Sequence, residues 1–552
     1  MKRFLYCLSL LLCSYTLCIA QPLHKAQGLS RADTLRGMLS PLRSCYDVNY
    51  YHLDVKVDID QKSISGSNQF SFTATKDFNK LQFDLFANLK VDKIVYMDLE
   101  LPFTREFNAV FVTFPRTIKK GAKDHFKVFY SGNPVVAKRA PWDGGFIFSK
   151  DKNGKPWVSV ACQGLGASSW WPTKDHQSDK ADSVLISISV PAGLKEISNG
   201  RLRNTVQLPD GYTQFNWFVS NPINNYNVTF YIGDYAHWTD EYPGENGPLS
   251  IDYWALKQDS LLARPHWDAD VKPMLKCFEF WFGPYPFYKD GYKLVQAPHL
   301  GMEHQSAVAY GNQFKMGYLG KDLSGTGWGL KFDFITVHES GHEWFGNNIT
   351  SKDIADMWIH ESFTNYSEAL FTECQQGKTA SSAYVAGIRK NIANDIPIIG
   401  PYNVNKEGSG DMYYKGANMI HLIRQLLDND EKFRMILRGL NKKFHHQTVS
   451  TAQVEHYIST QSGLKLDKIF DQYLRNSQVP VLEYKILRNQ LIYRWKSAVK
   501  KFDMPVKVSL NKNNFSYIYP SDTWKSTTIG SEIQEDTFRA DPNFYVLVQK
   551  VK

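Results

Sequence analysis

The sequence predicts a multidomain α+β protein: an N-terminal antiparallel β domain, a mostly helical domain in the middle, and a small C-terminal β domain. Three observations carry that prediction. The chain has 552 residues, too many for one ordinary hydrophobic core. Between residues 46 and 235, short runs alternate apolar and polar side chains residue by residue, as strands with one buried face do. After about residue 240 apolar residues recur at three- and four-residue steps, and strand patterns return only at "VPVLEYKI" (479–486). The expected boundaries are a leader over 1–20, a lead-in segment over 21–45, the β domain over 46–238, the helical domain over 239–478 and the C-terminal β domain over 479–552.

The leader comes first. Lys2 and Arg3 precede an apolar run over residues 4–19, too short for a comfortable membrane span, and small residues (Cys18, Ala20) stand at the −3 and −1 positions before Gln21. This reads as a cleaved secretory signal and places the protein outside the cytoplasm, periplasmic or extracellular, with no stable membrane span once the leader is gone. A retained anchor is the alternative, but no stop-transfer pattern follows. In the β domain, "YHLDVKVDID" (51–60) alternates Leu53, Val55, Val57 and Ile59 with Asp54, Lys56, Asp58 and Asp60. Similar runs are "SNQFSFTAT" (67–75), "HFKVFYSG" (125–132), "DSVLISISVP" (182–191) and "YNVTFYIGDY" (226–235), while "GGFIFSKDKNGKP" (144–156) reads as a hairpin. Helices are predicted within 269–283, 330–346, 358–377 and 415–430, several of them stopping at glycine.

Composition narrows the function classes. Hydrophobic residues at 43% and charged residues at 22% describe a soluble globular protein. The formal charge of +9, or +7 once Lys2 and Arg3 leave with the leader, is spread along the chain without a basic block. That excludes a nucleic-acid-binding footprint. Outside the leader, Cys45, Cys162, Cys277 and Cys374 are far apart with no C-x-x-C, so one or two disulfides are compatible with export while their pairing stays open. There is no G-x-S-x-G elbow and no phosphate-binding G-x-x-x-x-G-K-[ST] loop. The adjacent histidines of "KFHHQ" (443–447) would diverge on a helix and read as a solvated pair.

The chemistry concentrates in "VHESGHEWFG" (337–346). Residues four apart share a helical face, so His338 and His342 can offer two imidazoles to one ion. Catalytic zinc commonly takes three protein ligands and leaves a fourth position for water. Glu361 follows His342 after an interval of 18 residues, at the start of "ESFTNYSEALF" on the next predicted helix, and supplies the third ligand. Glu339, beside His338, is the natural general base. The bland alternative, solvated histidines on an amphipathic helix, does not account for the glutamate at that interval.

His338, Glu339, His342 and Glu361 resemble the H-E-x-x-H-x18-E signature of the gluzincin aminopeptidases, the family of alanyl and leucyl aminopeptidases and leukotriene hydrolase. The likeness extends to "MWIHESFTNYSE", similar to the family's W-x-x-E-G-F segment, to "LGMEHQSAVAYGN" (300–312), similar to its Gly-x-Met-Glu-Asn exopeptidase motif, and to "YYKGANMIHLIR", similar to its Tyr-x-Lys-Gly motif. It implies a thermolysin-like catalytic domain, one Zn2+ per chain, and peptide substrates with a free N-terminus. By resemblance, Tyr413 donates a hydrogen bond to the developing oxyanion, with Tyr414 the adjacent alternative. Glu303 selects the substrate's terminal ammonium, Gly301 and Met302 hold the peptide as an added strand, and Gln163 lines the amine site. Glu368, seven residues after Glu361 on the same helical face, resembles a carboxylate that orients a zinc histidine; a surface acid is the alternative.

Three positions depart from the family pattern. His304 stands where the family has Asn after the exopeptidase Glu, His360 replaces Asn before the ligand Glu361, and Ser362 replaces Gly after it. Only some 70 residues follow residue 480, so the large helical domain of many relatives is expected to be missing and the cleft more open to larger peptides. The expectation is a secreted zinc aminopeptidase. Its rivals are an endopeptidase with the same machinery and a non-catalytic exported peptide-binding protein.

Overall fold

The structure is a computed structural model that describes residues 28–510, 514–530, 533 and 537–552. The leader over 1–20 and the first residues of the lead-in lie outside these. No helix among the described residues is long and apolar enough to cross a membrane.

The N-terminal part is built on an eight-stranded sheet. Its central strand, Tyr46–Asp58, buries Leu53, Val55 and Val57 and turns Asp54, Lys56 and Asp58 away from the core, as the alternation requires. It pairs antiparallel with Ser63–Ala74 on one side. On the other side its partner Ser183–Pro191 runs parallel, so the predicted all-antiparallel domain holds one parallel seam. A parallel neighbour needs a long crossover. Here the chain between the two includes Gly145–Lys150 and Pro156–Ala161, paired antiparallel in a separate four-stranded sheet. The two sheets enclose one core that includes Phe70, Phe126, Trp170, Trp171 and Phe230.

The helical part carries a five-stranded mixed sheet of its own, absent from the predicted helical domain. Its order runs from Tyr235–Gly244 through Gly247–Leu256, Tyr292–Gln296 and Val308–Tyr310 to the two-residue edge strand Gly301–Met302. Helix Ser260–Phe282 packs on it through Trp267, Met274 and Phe278, and Cys277 in that helix is bonded to Cys374. Cys45 and Cys162 are free and buried. The helix carrying the histidines spans only Phe334–Gly341, shorter than the predicted 330–346. The chain there must turn back, and it does so through Gly346, in the left-handed region at φ +127. Helix Trp358–Gln376 ends at Gly377, also at positive φ, whose N–H donates to the Glu373 carbonyl. Beyond residue 480, Val481–Leu487, Gln490–Lys496, Lys525–Thr528 and Leu547–Lys550 form a further sheet. Its apolar side chains, Leu482, Leu491 and Trp495 among them, belong to the same continuous core as the helices.

Candidate metal centre

His338 lies in the last turn of its helix and His342 at the C-cap, still with right-handed backbone angles, so their rings meet edge to face with centroids 5.0 Å apart. Each ring is held by its Nδ1. That of His338 lies 2.7 Å from Glu368 Oε1, and that of His342 lies 3.0 Å from the Phe345 carbonyl. Carbonyl and carboxylate oxygens accept, so each Nδ1 carries a proton, and Nε2 is left as the nitrogen of each ring that can face a metal. The two Nε2 atoms stand 3.7 and 3.4 Å from Glu361 Oε2. Glu361 Oε2 is buried without a hydrogen-bond partner. Burial works against its charge, but His342 and His338 hold the carboxyl below its ordinary range. Two imidazole nitrogens and a carboxylate oxygen, all within 4.8 Å of one another, are a donor set suited to zinc. Glu368 is fully buried, bonded also by Asn365 Nδ2 at 2.7 Å and the Tyr384 hydroxyl at 2.6 Å. The structure thus places it against His338 and not on the surface.

Glu339 projects from the same helix toward the edge strand. A Cβ built on Gly301 would lie 2.6 Å from Glu339 Oε1 and 2.9 Å from Ile335 Cγ2, so only glycine lets the strand approach this closely. Met302 and Glu303 follow, both buried. Glu303 accepts hydrogen bonds from Gln163 Nε2 and, at 3.3 Å, from the Tyr226 hydroxyl. Its backbone carbonyl accepts from Asn347 Nδ2 at 2.8 Å. Burial raises the Glu303 carboxyl above its ordinary value, with His342 opposing. Gln163, 140 positions away in sequence, therefore meets Glu303 directly.

Tyr413 precedes helix Tyr414–Leu427, and its ring stacks on His338 at 6.1 Å. Burial, then the charges of Glu361, Glu407, Glu303 and Glu339, push its phenol well above the ordinary range, so it stays a donor. Burial, then Glu368 and Tyr318, raise the Tyr414 phenol; of the two tyrosines, it is Tyr413 that lies near Glu361, Glu303 and Glu339. Lys415 is buried and donates to the carbonyls of Asn476 and Ser477 at 3.0 and 3.1 Å, anchoring the helix start. The departures find local partners. The His304 ring Nδ1 meets the Tyr231 hydroxyl at 2.6 Å, and His360 Nε2 accepts from the Ser351 amide at 2.8 Å. Burial lowers the His360 pKa to about 3, so it is neutral. Sequence reasoning missed Tyr226 and Asn347, which bond Glu303, and Glu407. Burial, with Glu361 and Glu303 nearby, raises its carboxyl to about 7. It sits in a Gly- and Asn-rich loop where no motif marks it.

A β-rich unit set against a helical one, with two histidines and a glutamate from consecutive helices meeting at one point, defines a zinc metallopeptidase fold. Comparison with known proteins refines this. The profile of the Peptidase M1 N-terminal domain matches residues 47–226, and that of the Peptidase family M1 domain matches residues 270–473. Probable aminopeptidase 2 of Sulfurisphaera tokodaii is 22% identical over 422 residues, which cover 72% of this chain and 50% of the relative. Aminopeptidase B of Mus musculus is 22% identical over 517 residues, covering 85% of this chain and 74% of the relative. Aminopeptidase N of Lactobacillus helveticus is 29% identical over 217 residues, covering 36% and 25%. The chain thus spans half or less of several of its curated relatives. The solved M1 zinc metallopeptidase from Deinococcus radiodurans shares the fold, with a TM-score of 0.66 at 20% identity over 79% of this chain and 94% of that one. A mutant of that protein has been solved with a Tyr-Ser-Ala substrate, also at a TM-score of 0.66 and 20% identity over 79% of this chain and 95% of that one. The chain belongs to peptidase family M1, a zinc metallopeptidase family whose metal the His338, His342 and Glu361 set fits.

Proposed function

We propose that the protein is an exported aminopeptidase that removes the N-terminal residue of peptides, with residues 479–552 as a small β unit docked on the catalytic part. One observation carries the reading: Glu303, Glu339 and His342 each offer a ligand-type atom within 4.8 Å of the others. A terminal amine nitrogen is two bonds from its own carbonyl carbon, about 2.5 Å. An ammonium bound at Glu303 therefore puts the first peptide carbonyl, and no later one, beside Glu339 and the zinc ligands. Export is supported by the leader pattern and by the Cys277–Cys374 bond.

His338, His342 and Glu361 would hold the zinc, which would supply Lewis acidity and make a water usable as a nucleophile near neutral pH. Glu339 takes the proton of the attacking water and returns it to the departing amine. Tyr413 donates a hydrogen bond to the carbonyl oxygen as negative charge grows there. The peptide lies as an added strand along Gly301–Met302, whose outer side is an open sheet edge. Gln163 orients Glu303, and the pair reads the ammonium. The chelated protein is expected to be inert. Glu339→Gln should keep stoichiometric zinc while kcat falls about 1000-fold; an active Glu339→Gln enzyme would remove the base assignment. Free and N-acetylated versions of one peptide separate exopeptidase from endopeptidase. Efficient cutting of the acetylated form would overturn the proposal.

A further inference from the structure

Residues 30–44 lie outside both matched M1 domains, yet they are bonded to the two loops that flank the amine end of the cleft. Helix Arg31–Gly37 begins with a reciprocal cap between Ser30 and Asp33. From this helix Arg36 Nη2 donates to the Gly164 carbonyl at 3.0 Å, and its Nε lies 3.8 Å from Asp175 Oδ2. Gly164 directly follows Gln163, the residue bonded to Glu303. These are contacts to the β-rich part of the molecule.

The same short helix reaches the helical part. The Asn405 amide donates to the Asp33 carbonyl at 3.2 Å. Gly37 lies so near Val404 that a Cβ there would be 2.1 Å from the Val404 carbonyl carbon, a contact of backbone on backbone. Two residues beyond Asn405, Glu407 turns back toward the first loop; a Cβ on Gly164 would sit 3.6 Å from its Oε1. Arg43 locks the segment from beneath. Fully buried, it donates to Asp84 Oδ2 at 2.6 Å, to the Asp175 carbonyl at 2.7 Å and to the Met38 carbonyl at 3.2 Å, and it also reaches the Arg36 carbonyl. Breaking one partner of such a buried pair is costly, so the segment is fixed and not a loose tail.

We infer that residues 30–44 are a strap that joins the Gln163 loop to the 403–407 loop and closes the amine end of the cleft, with Arg36 as a positioning residue for Gln163 and Glu303. The inference rests on the aminopeptidase reading for its consequence. A closed end leaves no exit for chain on the N-terminal side of the first residue, and a fixed Gln163 keeps Glu303 aimed at the ammonium.

The test compares wild type with Arg36→Met, which keeps the stem and loses the donor, and Arg36→Lys, which can still donate to the Gly164 carbonyl. Arg36→Met should raise KM for a free-amine dipeptide amide about tenfold with kcat within twofold, and should narrow the preference for free over N-acetylated peptide. Arg36→Lys should recover most of both. Hydrogen exchange of the same proteins, which needs no turnover, should show the amides of 163–166 and 403–407 exchanging faster together in Arg36→Met. Unchanged KM and unchanged discrimination would overturn the positioning role even if Tm fell. Faster exchange in one loop alone would overturn the strap. A wild-type enzyme inert on free-amine peptides would instead sink the aminopeptidase reading, leaving the exchange result to decide the strap.

Discussion

The two ends of the cleft are built in opposite ways. The metal end draws His338, His342, Glu361 and Glu368 from two consecutive helices, Phe334–Gly341 and Trp358–Gln376. Its rings are fixed by Nδ1 bonds to Glu368 and to the Phe345 carbonyl. The amine end draws Glu303 from a sheet edge, Gln163 and Tyr226 from the β-rich part, and Asn347 from the turn after the histidines. A local site on rigid helices is set once those helices pack. An assembled site depends on every tertiary contact among its contributors, and selectivity can change there without touching the metal.

The sharpest test of that separation is Glu303→Gln. The amide keeps the shape and loses the charge proposed to pair with the ammonium. Losing one partner of a buried charge pair costs about 2–5 kcal/mol, so kcat/KM on free-amine peptides should fall about 30-fold or more while zinc content stays stoichiometric. Metal loss in this variant would mean that the two ends are coupled, and the comparison would fail.

A smaller effect is expected at the other end. Glu368→Gln keeps a side chain that can accept from Asn365 or Tyr384 but no longer offers a carboxylate to His338 Nδ1. Removing such an outer partner weakens metal binding about 10- to 100-fold. Competition with a chelator of known affinity measures this directly. Unchanged zinc affinity would show that packing alone fixes the His338 ring.

The same contrast explains what the sequence disclosed. The metal set was legible because it is local: four-residue spacing and one fixed interval bring three donors together once two helices form. Helix Trp358–Gln376 was legible to within a residue because its periodicity is long and Gly377 stops it. The histidine helix came out shorter than its apolar pattern, since the backbone turn at Gly346 overrides the period. Period two over 51–60 marked the strand that the structure extends over Tyr46–Asp58, but not its parallel partner, because alternation fixes which face is buried and not which neighbour pairs. Four cysteines allow three pairings, and only the packing of helix Ser260–Phe282 on helix Trp358–Gln376 joins Cys277 to Cys374. Glu407 and the strap left no periodic or motif signal; both exist as site elements only through contacts made across the whole chain.

The mildest change expected is at Ser362, the departure from glycine directly after the ligand Glu361. Its Oγ donates to the Met412 carbonyl at 2.7 Å, in the turn that delivers Tyr413. A Cβ on Gly416 would lie 1.8 Å from that Oγ, so the hydroxyl occupies the space a side chain on Gly416 would need. Serine thus ties the ligand helix to the tyrosine turn, a link that glycine cannot make. Ser362→Gly removes a buried hydrogen bond, worth about 1 kcal/mol, and places glycine in a helix, at a cost of up to about 1 kcal/mol more. Tm should fall by a few degrees, with zinc affinity unchanged and kcat reduced less than tenfold. A kcat loss as large as that of Glu339→Gln would mean that Tyr413 depends on Ser362 for its placement, so that the metal end reaches further along the chain than its two helices.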